Sequence, residues 1–80
     1  MKPAILVAED EADARENLCA FLEFKGFEAL RAADGLEAKQ IVENEGKRLI
    51  LAVVDVMMPR MDGHQLLRHI RANPMTGRIP

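Results

Sequence analysis

One cysteine, no long hydrophobic stretch, no block of like charge and no glycine-rich loop after the first apolar run: these gaps narrow the field first. The single Cys19 excludes an internal disulfide and suits a reducing compartment. The longest apolar run, residues 49–54, is far shorter than the ~20 residues of a membrane span. Met1-Lys2-Pro3 leads directly into an apolar run without a signal-peptide pattern, so the expectation is a soluble cytoplasmic domain. The 11 basic and 13 acidic residues are interleaved, for a net charge of −2. That balance argues against a nucleic-acid face or a polybasic membrane patch. Without a glycine-rich loop, a nucleotide-binding half-domain is disfavoured. What remains is a small chain of 80 residues with an ample hydrophobic fraction of 49%. Domains more often have about 100–150 residues.

The pattern reads strand-helix three times. Residues 4–8 are short, continuous and apolar, as in a buried strand. A helix is expected from about Asp13 to Lys25, with Ala14, Leu18, Phe21 and Leu22 on one face. Gly26 is placed to stop it, and Phe27 to make the hydrophobic contact that often follows. Residues 28–32 are a half-polar strand suited to a sheet edge. Asp34 with Glu37 reads as an N-cap pair. The helix behind it points Ala38, Ile41 and Val42 inward and stops near Gly46. Residues 49–54 are apolar throughout, as in a parallel strand covered on both faces. Asp62 with Gln65 repeats the cap pattern. A last helix then buries Gly63, Leu66, Leu67 and Ile70 and ends before Asn73-Pro74. Residues 79–80 are placed to lead into another strand. This order predicts an α/β fold with right-handed crossovers and a parallel sheet between helices.

Three acids close two of these strands. Glu9 and Asp10 follow the first, and Asp55 ends the third. Ligands of open parallel sheets bind beyond the carboxyl ends of the strands, where strand order reverses. If the second strand lies outside the first, the three acids share one cleft. Grouped carboxylates repel, so they call for a cation, a proton or a reaction. Mg²⁺ fits such oxygen ligands best. An acid pair that merely opens a loop is the bland alternative, and a third acid on another strand weighs against it. Asp62 reads as a helix cap, Pro59 and Gly63 as backbone-shaping, and Met57 and Met58 as adaptable apolar lining. His64 and His69 do not share a helical face, which argues against a metal pair. Cys19 reads as ordinary packing.

Three segments carry a family resemblance: Val7-Ala8-Glu9-Asp10-Glu11, Ala32-Ala33-Asp34-Gly35-Leu36-Glu37-Ala38 and, above all, Asp55-Val56-Met57-Met58-Pro59-Arg60-Met61-Asp62-Gly63. In order and spacing the chain resembles the receiver domain of a two-component response regulator. The resemblance implies a flavodoxin-like, doubly wound parallel sheet with strand order 2-1-3. It implies that Asp55 accepts a phosphoryl group from a sensor histidine kinase or phosphotransfer protein. Mg²⁺ would be held by Asp10, by Asp55, by Glu9 largely through water, and by the backbone carbonyl of Met57. Such a domain is a phosphoacceptor that assists its own Mg²⁺-dependent phosphorylation and dephosphorylation, not an independent enzyme. A haloacid-dehalogenase-type phosphatase also uses an Asp after a parallel strand. It requires a second acid two residues later, where this chain has Met57.

The match is to the first two-thirds of the family's domain. Residues 1–80 are expected to form a partial receiver, truncated after three βα units and without the fourth and fifth strands. Receivers use a Ser or Thr after the fourth strand and a Lys after the fifth. This chain has no Ser, its one Thr is Thr76, and no Lys follows Asp55. Weaker phosphorylation, or none, is therefore expected. The alternative is a receiver-like interaction fragment that is never phosphorylated. The third strand is expected to be an exposed apolar edge open to self-association. Glu9, where Asp is commoner in the family, keeps the charge and lengthens the arm.

Overall fold

The computed structural model describes residues 2–55, 63–74, 76, 77, 79 and 80. The elements are β1 (Ala4–Ala8), α1 (Ala12–Phe24), β2 (Glu28–Ala32), α2 (Gly35–Glu45), a 3₁₀ turn (Gly46–Arg48), β3 (Leu49–Val54) and α3 (Gly63–Ala72). The strands form one parallel sheet in the order β2-β1-β3, as expected. With β1 central, the crossovers to β2 and β3 run in opposite directions. Right-handed connections then put α1 on one face and α2 on the other.

The side chains divide accordingly. Ile5 and Val7 of β1 pack with Cys19 and Leu22 of α1 and Ala29 of β2. Ala4, Leu6 and Ala8 point the opposite way, into a cluster with Ala38 and Val42 of α2 and Leu66 and Ile70 of α3. All five β1 residues are buried, which explains their unbroken apolar run. Fully burying a side chain such as Leu6 or Val7 stabilises the fold by about 1.5–3 kcal/mol.

Local chemistry sets the ends of the helices. Glu11 caps α1: its carboxylate accepts the N–H groups of Asp13 (3.2 Å) and Ala14 (2.6 Å). Gly26 ends it at φ 98°. The Gly26 N–H donates to the Glu23 carbonyl and the Phe27 N–H to the Leu22 carbonyl, each at 3.1 Å, which is a Schellman cap. Asp34 accepts the Glu37 N–H at 2.9 Å, and the Glu37 carboxylate reaches back to the N–H of Ala33 at 2.7 Å.

Three expected inward residues point out: Ala14 at the start of α1 is exposed, as are Phe21 and Leu67. Phe21 is 57% exposed and Leu67 is 41% exposed. On α1 the inner positions belong to Cys19 and Leu22. Burial pushes the Cys19 thiol above its ordinary range. On α3, Leu66 and Ile70 take the core and leave Leu67 on the flank.

After α3 the chain folds back. Thr76 is fully buried and its hydroxyl donates to the Ile70 carbonyl at 2.8 Å. Arg71 Nη1 donates to the carbonyls of Gly77 (2.8 Å) and Ile79 (2.7 Å). Ile79 enters the core beside α2 and α3, and the Ala52 N–H donates to the Pro80 carbonyl at 3.0 Å. Residues 79–80 thus lie against the outer side of β3, where the sequence pattern puts a strand lead-in. β3 also carries one extra residue, Ile50, between its rungs to Ala4 and Ile5.

Candidate functional site

Strand register builds the site. Ala8 pairs with Ala32 on one side and Val54 on the other. One step further, the Glu9 N–H donates to the Ala32 carbonyl (3.0 Å) and the Asp55 N–H to the Ala8 carbonyl (2.8 Å). Glu9 and Asp55 therefore leave neighbouring strands side by side. Asp10 follows at the start of the loop into α1. One carboxylate oxygen from each of Glu9, Asp10 and Asp55 lies within 4.8 Å of the others. Glu9 and Asp55 are half-buried and Asp10 is exposed.

The crowding leaves an electrostatic mark on Glu9. Its Oε2 accepts the Glu11 N–H at 3.2 Å, which pulls its pKa down. Asp55, partial burial and Asp10 push the other way and prevail, so the carboxyl sits above its ordinary range. Three carboxylates of hard oxygen character at this spacing suit a small divalent cation. Neither histidine joins this group among the described residues. His69 lies between helices instead, 3.9 Å from Glu43.

Met57, the expected carbonyl ligand, falls outside the described residues, as do Met58, Pro59 and the expected cap Asp62. Gly63 opens α3 and is buried. Sequence reasoning missed two residues that hold the acid loop, Glu11 at its end and Arg15 on α1. Glu11 is the cap of α1, and an acid directly before a helical run was the available signal. Arg15 Nη1 donates to the backbone carbonyl of Glu9 at 3.0 Å, a contact with no sequence signature.

The family model described as the response regulator receiver domain matches residues 5–79. The chain belongs to this family. The response regulator MprA of Mycobacterium sp. (strain KMS) is 40% identical to this receiver chain over 72 residues. That match covers 90% of the chain and 30% of the regulator, so the chain spans under a third of that relative's length. Among solved structures, the receiver domain from the hybrid histidine kinase CckA superposes with a TM-score of 0.88 at 39% identity. It matches 96% of this receiver chain and 69% of its own. A CheX–CheY–BeF₃–Mg²⁺ complex from Borrelia burgdorferi aligns at 28% identity and TM-score 0.81, covering 86% of the receiver chain and 52% of its own. The fold is the flavodoxin-like sheet of receivers, with strand order 2-1-3.

Proposed function

We propose that the chain is a phosphoacceptor module of a two-component phosphorelay, with Asp55 as the acceptor. Residues 1–80 then supply the first three βα units of a receiver. The observation that carries this is the convergence of Glu9, Asp10 and Asp55 at the carboxyl ends of adjacent parallel strands. An Asp55 oxygen attacks the phosphorus of a phosphohistidine on a sensor kinase or phosphotransfer protein. The P–N bond breaks, the imidazole keeps its electron pair, and an acyl phosphate forms on Asp55. The step is mostly positioning and charge stabilisation. Glu9, Asp10, Asp55 and the Met57 carbonyl would hold Mg²⁺, which supplies positive charge beside the phosphoryl oxygens. The raised pKa of Glu9 supports a cation there, because the acids repel one another. The Borrelia relative was solved with Mg²⁺. A histidine-kinase partner implies a cytoplasmic domain.

The test is incubation with acetyl phosphate and Mg²⁺, read by intact mass. A slow adduct on Asp55, lost in Asp55→Asn and in chelator, is the expected result. An adduct that survives Asp55→Asn would sink the assignment. Residues 1–80 contain no Ser and residues 56–80 no Lys, so this stretch taken by itself also admits a second reading. In it the chain is a receiver-like interaction fragment that binds partners without phosphorylation. No adduct at all would favour it. Pairing of two chains along β3 is part of either reading.

A further inference from the structure

Arg15 stands where a helix disfavours a cation. It is four residues past the Glu11 cap of α1, and the positive end of the helix dipole opposes charge of that sign there. Its side chain is nonetheless only 17% exposed. Two contacts account for this. Nη1 donates to the Glu9 carbonyl at 3.0 Å, and Nε lies 3.6 Å from the Glu16 carboxylate. Glu16 is itself gripped by Arg31 Nε at 2.9 and 3.1 Å, and Arg31 also binds Glu23 through both terminal nitrogens. The guanidinium is therefore held from behind while it grips the loop in front.

The carbonyl it grips matters. It belongs to the peptide plane that joins Glu9 to Asp10, so its orientation sets how these two acids face each other. We propose that Arg15 is a positioning residue for cation binding. By fixing the Glu9–Asp10 peptide plane it aims two carboxylates at the point that Asp55 also reaches. The proposal rests on the Mg²⁺ reading above and adds a residue to it. Arg15 reaches the Glu9 carbonyl and the Glu16 carboxylate and is not one of the proposed ligands.

Charge and positioning predict opposite signs, which makes the idea testable. Losing a nearby positive charge alone tightens Mg²⁺ binding. Losing the clamp weakens it. Mg²⁺ titrations of the 80-residue chain by calorimetry are expected to show Arg15→Gln weakened about tenfold, the lower end for outer-shell partners of metal sites. Arg15→Lys should recover part of the loss, and Glu16→Gln should show a smaller loss of the same sign. In metal-free protein, Arg15→Gln should speed hydrogen exchange at the Glu11 amide, whose partner is Glu9 Oε2. Equal or tighter Mg²⁺ binding by Arg15→Gln overturns the proposal, as does unchanged exchange at Glu11. A wild-type chain that takes up no Mg²⁺ overturns the cation reading itself, and the proposal falls with it. The wild-type titration tells these two failures apart.

Discussion

The Glu11 N–H favours a charged Glu9, while Asp55, partial burial and Asp10 favour a neutral one. The second set prevails, so an ionised Glu9 destabilises the fold whenever nothing offsets the charge. Glu9→Gln removes that charge and keeps an oxygen for the Glu11 amide. In chelator, the variant is expected to melt above wild type. With Mg²⁺ the wild type gains more than the variant, and the gap narrows or reverses. Calorimetric melts in both buffers check this. Equal Mg²⁺ shifts for the two proteins would show that Glu9 does not serve a cation. At this scale the acids are legible in the sequence, because Glu9, Asp10 and Asp55 all follow apolar strands. Arg15 is not. A polar residue on a helix reads as solvent-facing, and only the folded loop reveals the carbonyl that its head reaches.

Helix α1 shows how far periodicity carries at the scale of an element. Its C-terminus was readable from Gly26-Phe27, because a left-handed residue and a following apolar contact are local demands. An ideal Cβ at Gly26 would meet nothing within 4 Å, so the φ of 98° alone makes substitution unfavourable. Gly26→Ala is expected to cost about 1–2 kcal/mol in urea unfolding, the scale of a strained left-handed residue. A loss near zero would show that the cap contributes nothing. The inner face of α1 was less readable. Leu18, Phe21 and Leu22 form one apolar stripe, while Cys19 and Leu22 are the pair that the sheet buries. Spacing finds a stripe, but the tilt and closeness of the helix choose the arc within it. That is why Phe21, at 57% exposure, ended on the flank. Strands were easier: β1 and β3 are apolar throughout, and β2 alternates enough to mark its place at an edge.

At the scale of the whole sheet, β3 is the outermost described strand on its side of the order β2-β1-β3, with Pro80 bonded to Ala52 on its outer side, and its apolar surface is only partly covered. Ile50 is 46% exposed and Val53 is 38% exposed. Such an edge recruits other strands unless something blocks it. Sedimentation is expected to show concentration-dependent association, weakened by Val53→Lys. A strictly monomeric wild type at high concentration would refute the pairing. The strand-helix repeats made the parallel sheet legible, while the order itself came from the family resemblance, because right-handed crossovers alone leave more than one arrangement. The bond between the Ala52 N–H and the Pro80 carbonyl was not legible, since it depends on Arg71 and Thr76 folding the chain back. That bond sets one rung on the side of β3 away from β1. A second chain pairing along β3 must therefore displace Pro80 from the Ala52 N–H or leave that rung as it is.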